Sequence, residues 1–167
     1  MGTEDRHFTH STLRERIVEH VFIGDVLRTL WRLGVTDVEI LRPEFDAHGY
    51  DVVMSRGPVV RHIQLKTQAG GKVSVGRALA EKPSGCVVWI GLNKDSLALG
   101  PFLWFGGLPG APLPDISTYP NPKRTTHNAG GLRPVRKNHH VLPPAAFTKL
   151  NSLEEVVVKL FGDIQAR

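Results

Sequence analysis

The chain has one cysteine, Cys86, among 167 residues. A lone thiol excludes an intrachain disulfide and any zinc site built from paired cysteines. Its setting, GCVVWIGL, is that of a small buried side chain rather than a reactive one. No apolar run approaches the roughly 20 residues that a membrane helix needs. The opening stretch, MGTEDRHFTHSTLRER, is polar and lacks the apolar centre of a signal peptide. These absences lead us to expect a cytoplasmic protein with no membrane partner. There is no internal repeat, and Gly106, Gly107, Gly110, Gly130 and Gly131 do not form a phosphate-binding loop ahead of a helix.

Acidic residues are missing from one long segment. Between Asp115 and Glu154 there is no Asp or Glu, while Lys123, Arg124, Arg133, Arg136, Lys137 and Lys149 all fall there. The net charge of +5 permits a nucleic-acid partner without requiring one. Such a stretch either follows a phosphate backbone or is a solvated loop; no interleaved aromatics mark a stacking platform. Gly107 to Pro144 is rich in Gly, Pro, Asn and basic residues, and so long a loop in a compact domain signals function, mobility or a partner.

A chain of this length can bury roughly two-thirds of its unfolded surface, enough for one self-sufficient domain. Thr12 to Leu33 has the pattern of a long helix: Thr12 and Glu15 have capping-box spacing, and Ile23, Val26, Leu27, Leu30 and Leu33 share one face. Leu13, Ile17, Val21 and Trp31 form a second apolar face, so the helix should be covered on two sides. Strands are expected at Val38 to Leu41, Tyr50 to Met54 and Val59 to Lys66, the last two joined by a turn at Ser55 to Pro58 into an antiparallel hairpin. A short helix is expected at Val73 to Lys82, a buried central strand at Cys86 to Leu92, and a further strand at Phe102 to Phe105. Trp89, Phe102, Trp104 and Phe105 should lie in the core. Ser152 to Phe161 should be a second amphipathic helix, with Ser152 and Glu155 as its capping box.

Within this order, helix-strand-strand-strand-helix-strand, three polar residues stand where apolar ones would be expected. Asp51 opens one arm of the hairpin, and Gln64 and Lys66 lie two apart on the other, hence on one face. Antiparallel pairing can bring the Asp51 and Gln64 oxygens together beside the Lys66 ammonium.

Here the text GYDVVMSRGPVVRHIQLKT, Gly49 to Thr67, resembles the PD-(D/E)XK nuclease superfamily, which includes restriction enzymes and Holliday-junction resolvases. The resemblance runs from Thr12 to Leu92 and extends to element order. It implies an α/β fold with a restriction-endonuclease-like core: a mixed central sheet flanked by helices, with a C-terminal extension. It further implies Mg²⁺ (or Mn²⁺) held by acidic residues, a lysine serving the attacking water, cleavage of DNA in defence or repair, and association as homodimers. Asp51 matches the first acid and Lys66 the lysine. Gln64 departs from the usual Asp or Glu, bringing a carbonyl oxygen without charge. Glu19, on the core-facing side of the first helix, is the candidate for a further acid; a salt bridge there is the alternative. Asp25 is its rival on a different face.

We therefore expect a polar tail over 1–11, a nuclease-like core over 12–106, and a basic loop with a packed helix over 107–167. Asp51, Gln64, Lys66 and Glu19 would form the site, and Lys123, Arg124, Arg133, Arg136 and Lys137 would contact nucleic acid. The alternative is a non-catalytic nucleic-acid or protein-interaction module that keeps the fold. His48 and His62 flank the site and read as exposed, with contact to a phosphate as the alternative. His127-Asn128 and Asn138-His139-His140 bear a superficial likeness to His-metal nuclease motifs but lack a hairpin-helix frame.

Overall fold

The computed structural model describes residues 3–45, 48–67 and 71–164; the ends of the expected tail and extension, 1–2 and 165–167, lie outside them. The architecture is α/β, with a mixed central sheet flanked by helices, as expected. Two helices open it, α1 (Thr3–Thr9) and α2 (Ser11–Arg32). The first replaces most of the expected polar tail, and it also removes the expected Thr12 cap. His10 N–H donates to the Arg6 carbonyl at 3.1 Å and its own carbonyl accepts from Arg14 N–H at 3.0 Å. The turn before α2 thus supplies backbone partners, and the N-cap, His10, makes no side-chain capping bond.

The main sheet has the order β1-β2-β3-β5-β6-β8. Its strands are β1 (Val38–Leu41), β2 (Val52–Arg56), β3 (Val59–Lys66), β5 (Gly85–Leu92), β6 (Leu99–Gly106) and β8 (Thr148–Leu150). β2 starts later than expected and continues to Arg56, which pairs with Val59, leaving Gly57-Pro58 as the turn. Only β3 and β5 run parallel; every other neighbouring pair is antiparallel. A parallel pair needs a crossover. Here it contains β4 (Val73–Gly76) and α3 (Arg77–Ala80), where the sequence suggested one continuous helix. β4 pairs antiparallel with β7 (His139–Leu142), a partner far along the chain that no local window reveals. Gly85 follows from the return of this crossover: a Cβ there would lie 2.5 Å from the Leu79 carbonyl oxygen.

Each sheet face has its own core. On one, Val18, Phe22, Val26 and Leu30 of α2 join Val156 and Leu160 of α4 (Leu153–Phe161) over Met54, Ile63, Val88 and Ile90. On the other, Val73, Val75 and Leu79 pack with Val87, Trp89 and Phe105, closed by Leu113, Ile116 and Phe147. Trp89, Phe102, Trp104 and Phe105 are all buried, as expected. Among the described residues, the second apolar face of α2 is only partly covered: Val21 is half-buried, while Leu13 is 60% exposed, Ile17 36% and Trp31 74%. Among the described residues, no helix is long and apolar enough to cross a membrane.

The segment after residue 106 is woven into the same core, since β8 is a strand of the main sheet and α4 packs beside α2. The Ser152 cap is present: its hydroxyl accepts from Glu155 N–H at 3.2 Å, and the Glu155 carboxylate accepts from Asn151 N–H at 3.2 Å. Arg61 anchors this helix. The side chain is wholly buried, donating from Nε to the Leu160 carbonyl at 2.9 Å and from Nη2 to those of Lys159 at 2.8 Å and Gly107 at 3.0 Å. A cation at the C-terminal carbonyls of α4 also complements the helix dipole.

Candidate functional site

Asp51 lies just before β2, where the ladder opens. Its N–H donates to the Ile63 carbonyl at 2.8 Å, and its Oδ2 accepts from Leu65 N–H at 2.7 Å. The chain enters this position through Gly49 at φ 71°, a conformation that glycine adopts at little cost. Leu65 lies between Gln64 and Lys66, so the Asp51 carboxylate is fixed against the strand that carries both.

Asp51, Gln64 and Lys66 line one cleft of about 580 Å³, together with Glu19, Glu15, Arg14 and Arg16 from the first turns of α2. The expected quartet therefore assembles. Asp25 lies outside this cleft and is ion-paired with Arg28. Glu19 is only 7% exposed, and the salt bridges weighed against a metal role are present: Arg16 Nη1 lies 3.0 Å from Oε2 and Arg42 Nε 3.5 Å from Oε1. Gln64 Oε1 is buried and has no hydrogen-bond partner.

A second cleft of about 690 Å³ shares Gly49, Gln64 and Lys66 and adds Arg77, Glu81, Arg136, Asn138 and His139. Of the expected nucleic-acid contacts, Arg136 thus borders the site, with Nη2 lying 2.8 Å from His139 Nε2. Lys123, Arg124, Arg133 and Lys137 are exposed on the same segment. That segment is an irregular hairpin arm rather than a free loop. Lys123 bridges Val135, Arg124 N–H donates to the Pro134 carbonyl at 2.8 Å, and Arg136 N–H donates to that of Pro122 at 2.7 Å. Its tip is tied by Asn128 Oδ1, which accepts from Gly130 N–H at 3.1 Å and Leu132 N–H at 2.9 Å.

Sequence reasoning missed Arg14, Glu15, Arg16, Arg77 and Glu81 at these clefts. Glu15 was findable, because it lies one helical turn before Glu19. Arg77 and Glu81 were hidden by the misread crossover. His48 is exposed, as expected, whereas His62 is half-buried. The His62 ring meets Tyr50 edge-on at 5.0 Å, and burial first, then the neighbouring Lys82, lower its pKa from the ordinary 6.5. Neither His48 nor His62 lines the two clefts. His127 accepts from Arg133 Nε at 3.2 Å, and His140 Nδ1 lies 2.7 Å from the Tyr119 carbonyl. Among the described residues, no group of three or more His, Cys, Asp or Glu is placed to hold a metal ion. A cation at the cleft would therefore depend on the uncharged Gln64 oxygen as well as on carboxylates.

No family model matches the chain, and no curated protein matches it. Among solved structures, it is similar to Hjc. This Holliday junction resolvase comes from Archaeoglobus fulgidus, an archaeal hyperthermophile; the identity is 14%, the match covers 83% of this chain and 98% of that one, and the TM-score is 0.46.

Proposed function

We propose that the chain is a divalent-cation-dependent nuclease of the PD-(D/E)XK kind, hydrolysing phosphodiester bonds in DNA. The observation that carries this reading is Gln64 Oε1, buried without a hydrogen-bond partner in the cleft that Asp51 also lines. Leaving such an acceptor unsatisfied costs about 1–3 kcal/mol, which a bound cation would offset. An amide oxygen beside a carboxylate is a hard donor set suited to Mg²⁺ or Mn²⁺. Asp51 and Gln64 would hold the ion, and Glu19 would join them by giving up its contact with Arg42.

When bound, the ion supplies Lewis acidity that neutralises phosphate charge and lowers the pKa of water. The remaining work falls to the chain. The hydrogen bond from Leu65 keeps the Asp51 carboxylate oriented. Lys66, which lines both clefts, would position water and stabilise negative charge on the phosphate. Arg77 and Arg136 would hold flanking phosphates, and the exposed cations of the arm would follow the backbone beyond them.

A second reading, a non-catalytic nucleic-acid or protein-binding module, is favoured by the two arginines that already neutralise Glu19. Calorimetry with Mn²⁺ and Mg²⁺, paired with a cleavage assay on plasmid DNA, separates the two. The nuclease reading expects one specific cation site, tightened by Gln64→Glu and weakened at least tenfold by Asp51→Asn, with cleavage that requires the cation. No specific site in either wild type or Gln64→Glu would leave the binding module standing.

A further inference from the structure

The cleft of Asp51 and Gln64 opens at one end into a larger bay of about 1040 Å³, with which it shares Arg14 and Thr67. At its other end it shares Gly49, Gln64 and Lys66 with the cleft of Arg77 and Arg136, which has no described lining residue in common with the bay. The three clefts therefore follow one another in a single course, with the candidate cation site in the middle. The bay lies at the C-terminal ends of β3 and β5, the parallel pair, which is where open α/β sheets take their ligands.

The two ends of this course differ in chemistry. The Arg136 end is charged. The bay is walled by Phe8, Leu92, Pro101, Leu103 and Pro144, and its cations are Arg14 and Lys94. No Asp or Glu is among its described lining residues. An apolar cavity with a basic rim fits an anion that carries a flat apolar body, which is the chemistry of a nucleotide with its base inserted. Phe8 is 86% exposed, so its ring is available for a base to stack on.

The wall that carries Phe8 is held from two sides. His7 Nε2 lies 2.7 Å from the Lys94 carbonyl oxygen, and Arg14 Nη1 donates to the His7 carbonyl at 3.1 Å. Arg14 Nε makes no hydrogen bond among the described residues, so turning the guanidinium toward a phosphate breaks no bond at that nitrogen.

We infer that the bay takes an unpaired base beside the scissile phosphate, with Arg14 on the phosphate that joins the bay to the site. The preferred substrate is then DNA at a boundary, duplex on the Arg136 side and single-stranded on the Phe8 side. A paired base must leave its stack to enter such a pocket, a cost that an unpaired base is spared. The inference rests on the nuclease reading for the phosphate that is cut, and deepens it by naming the class of substrate.

Fluorescence anisotropy in EDTA measures binding without a divalent cation or cleavage. The probes are a blunt duplex, the same duplex with a short single-stranded flank at its 5′ or 3′ end, and each flanked duplex with abasic residues in the flank. Wild type should bind one flanked duplex about tenfold more tightly than its abasic counterpart, the order that stacking one base on an aromatic ring supplies. Abasic flanks keep their phosphates, so this ratio isolates the base. Phe8→Ala should bring the ratio close to one with an unchanged far-UV spectrum, since the side chain is exposed. Equal affinity for complete and abasic flanks, or a Phe8→Ala variant that keeps the full preference, would overturn the inference and leave the bay to another occupant, a peptide or a small molecule. Either result leaves the nuclease reading standing, because cation-dependent cleavage of plasmid DNA judges that reading separately. Failure to bind any of the probes would sink the DNA reading together with the bay.

Discussion

The backbone N–H of Leu65 donates to Oδ2 of Asp51 at 2.7 Å. The carboxylate proposed to hold a cation therefore also fastens the open end of the β2–β3 hairpin. A hydrogen bond to a charged group contributes about 1.5–3 kcal/mol. Asp51→Asn keeps a carbonyl acceptor and should unfold within a few degrees of wild type while losing cation affinity. Asp51→Ala should lose both. Thermal unfolding beside calorimetry tests this, and equal destabilisation by the two variants would show that the hydrogen bond contributes nothing.

Arg61 donates to three carbonyls, two of them at the C-terminal end of α4. Arg61→Met keeps the aliphatic stem but removes every donor, at a cost on the order of 3 kcal/mol. The lower urea midpoint should be accompanied by faster hydrogen exchange in α4. Unchanged exchange there would place the loss elsewhere.

The basic arm should govern the salt dependence of DNA binding. Each phosphate neutralised contributes about −0.9 to the log-log slope of affinity against salt. Replacing Arg133, Arg136 and Lys137 with Ala should flatten the slope on duplex DNA by up to about 3 units. Cation affinity should fall little, because the Asp51 carboxylate is oriented by the Leu65 N–H. A slope identical to wild type would make the arm a solvated surface.

Cys86 is wholly buried, and that burial pushes its thiol from the ordinary 9.0 up to about 12. The folded state thus favours the neutral thiol. Its contribution to stability is complete below pH 9, the unfolded value, and is lost as pH climbs toward 12. Wild type should lose stability over that range faster than Cys86→Ala, which shares every other titrating group. Iodoacetamide at pH 8 should label the thiol only in denaturant; labelling of the native protein would contradict the burial.

The parts of this molecule that were legible in its sequence are those decided locally. Alternation along Val59–Lys66 placed Gln64 and Lys66 on one face, and the turn expected within Ser55 to Pro58 returned Asp51 to them. The Ser152 cap was readable from four consecutive residues. The parts that were not legible depend on distant partners. Val73 and Val75 are strand residues because β7 lies alongside them, and Glu19 carries two arginines, one from beyond β1. The reading of α2 as a helix with two apolar faces was sound in pattern, but among the described residues only the face of Val18, Phe22 and Val26 is fully buried.

The strand order has a consequence for the chain as it is being made. β6 is complete at Gly106, yet its outer neighbour β8 lies at Thr148–Leu150 and the helix beside α2 comes later still. At about 5–20 residues per second, the 44 residues from Gly106 to Leu150 take roughly 2–9 s to synthesise. Throughout that interval Phe102 and Trp104 belong to a strand with one bare edge and an incompletely roofed face, a template for pairing with other nascent chains. Until Leu150 has been made, β6 lacks the neighbour that closes its outer edge.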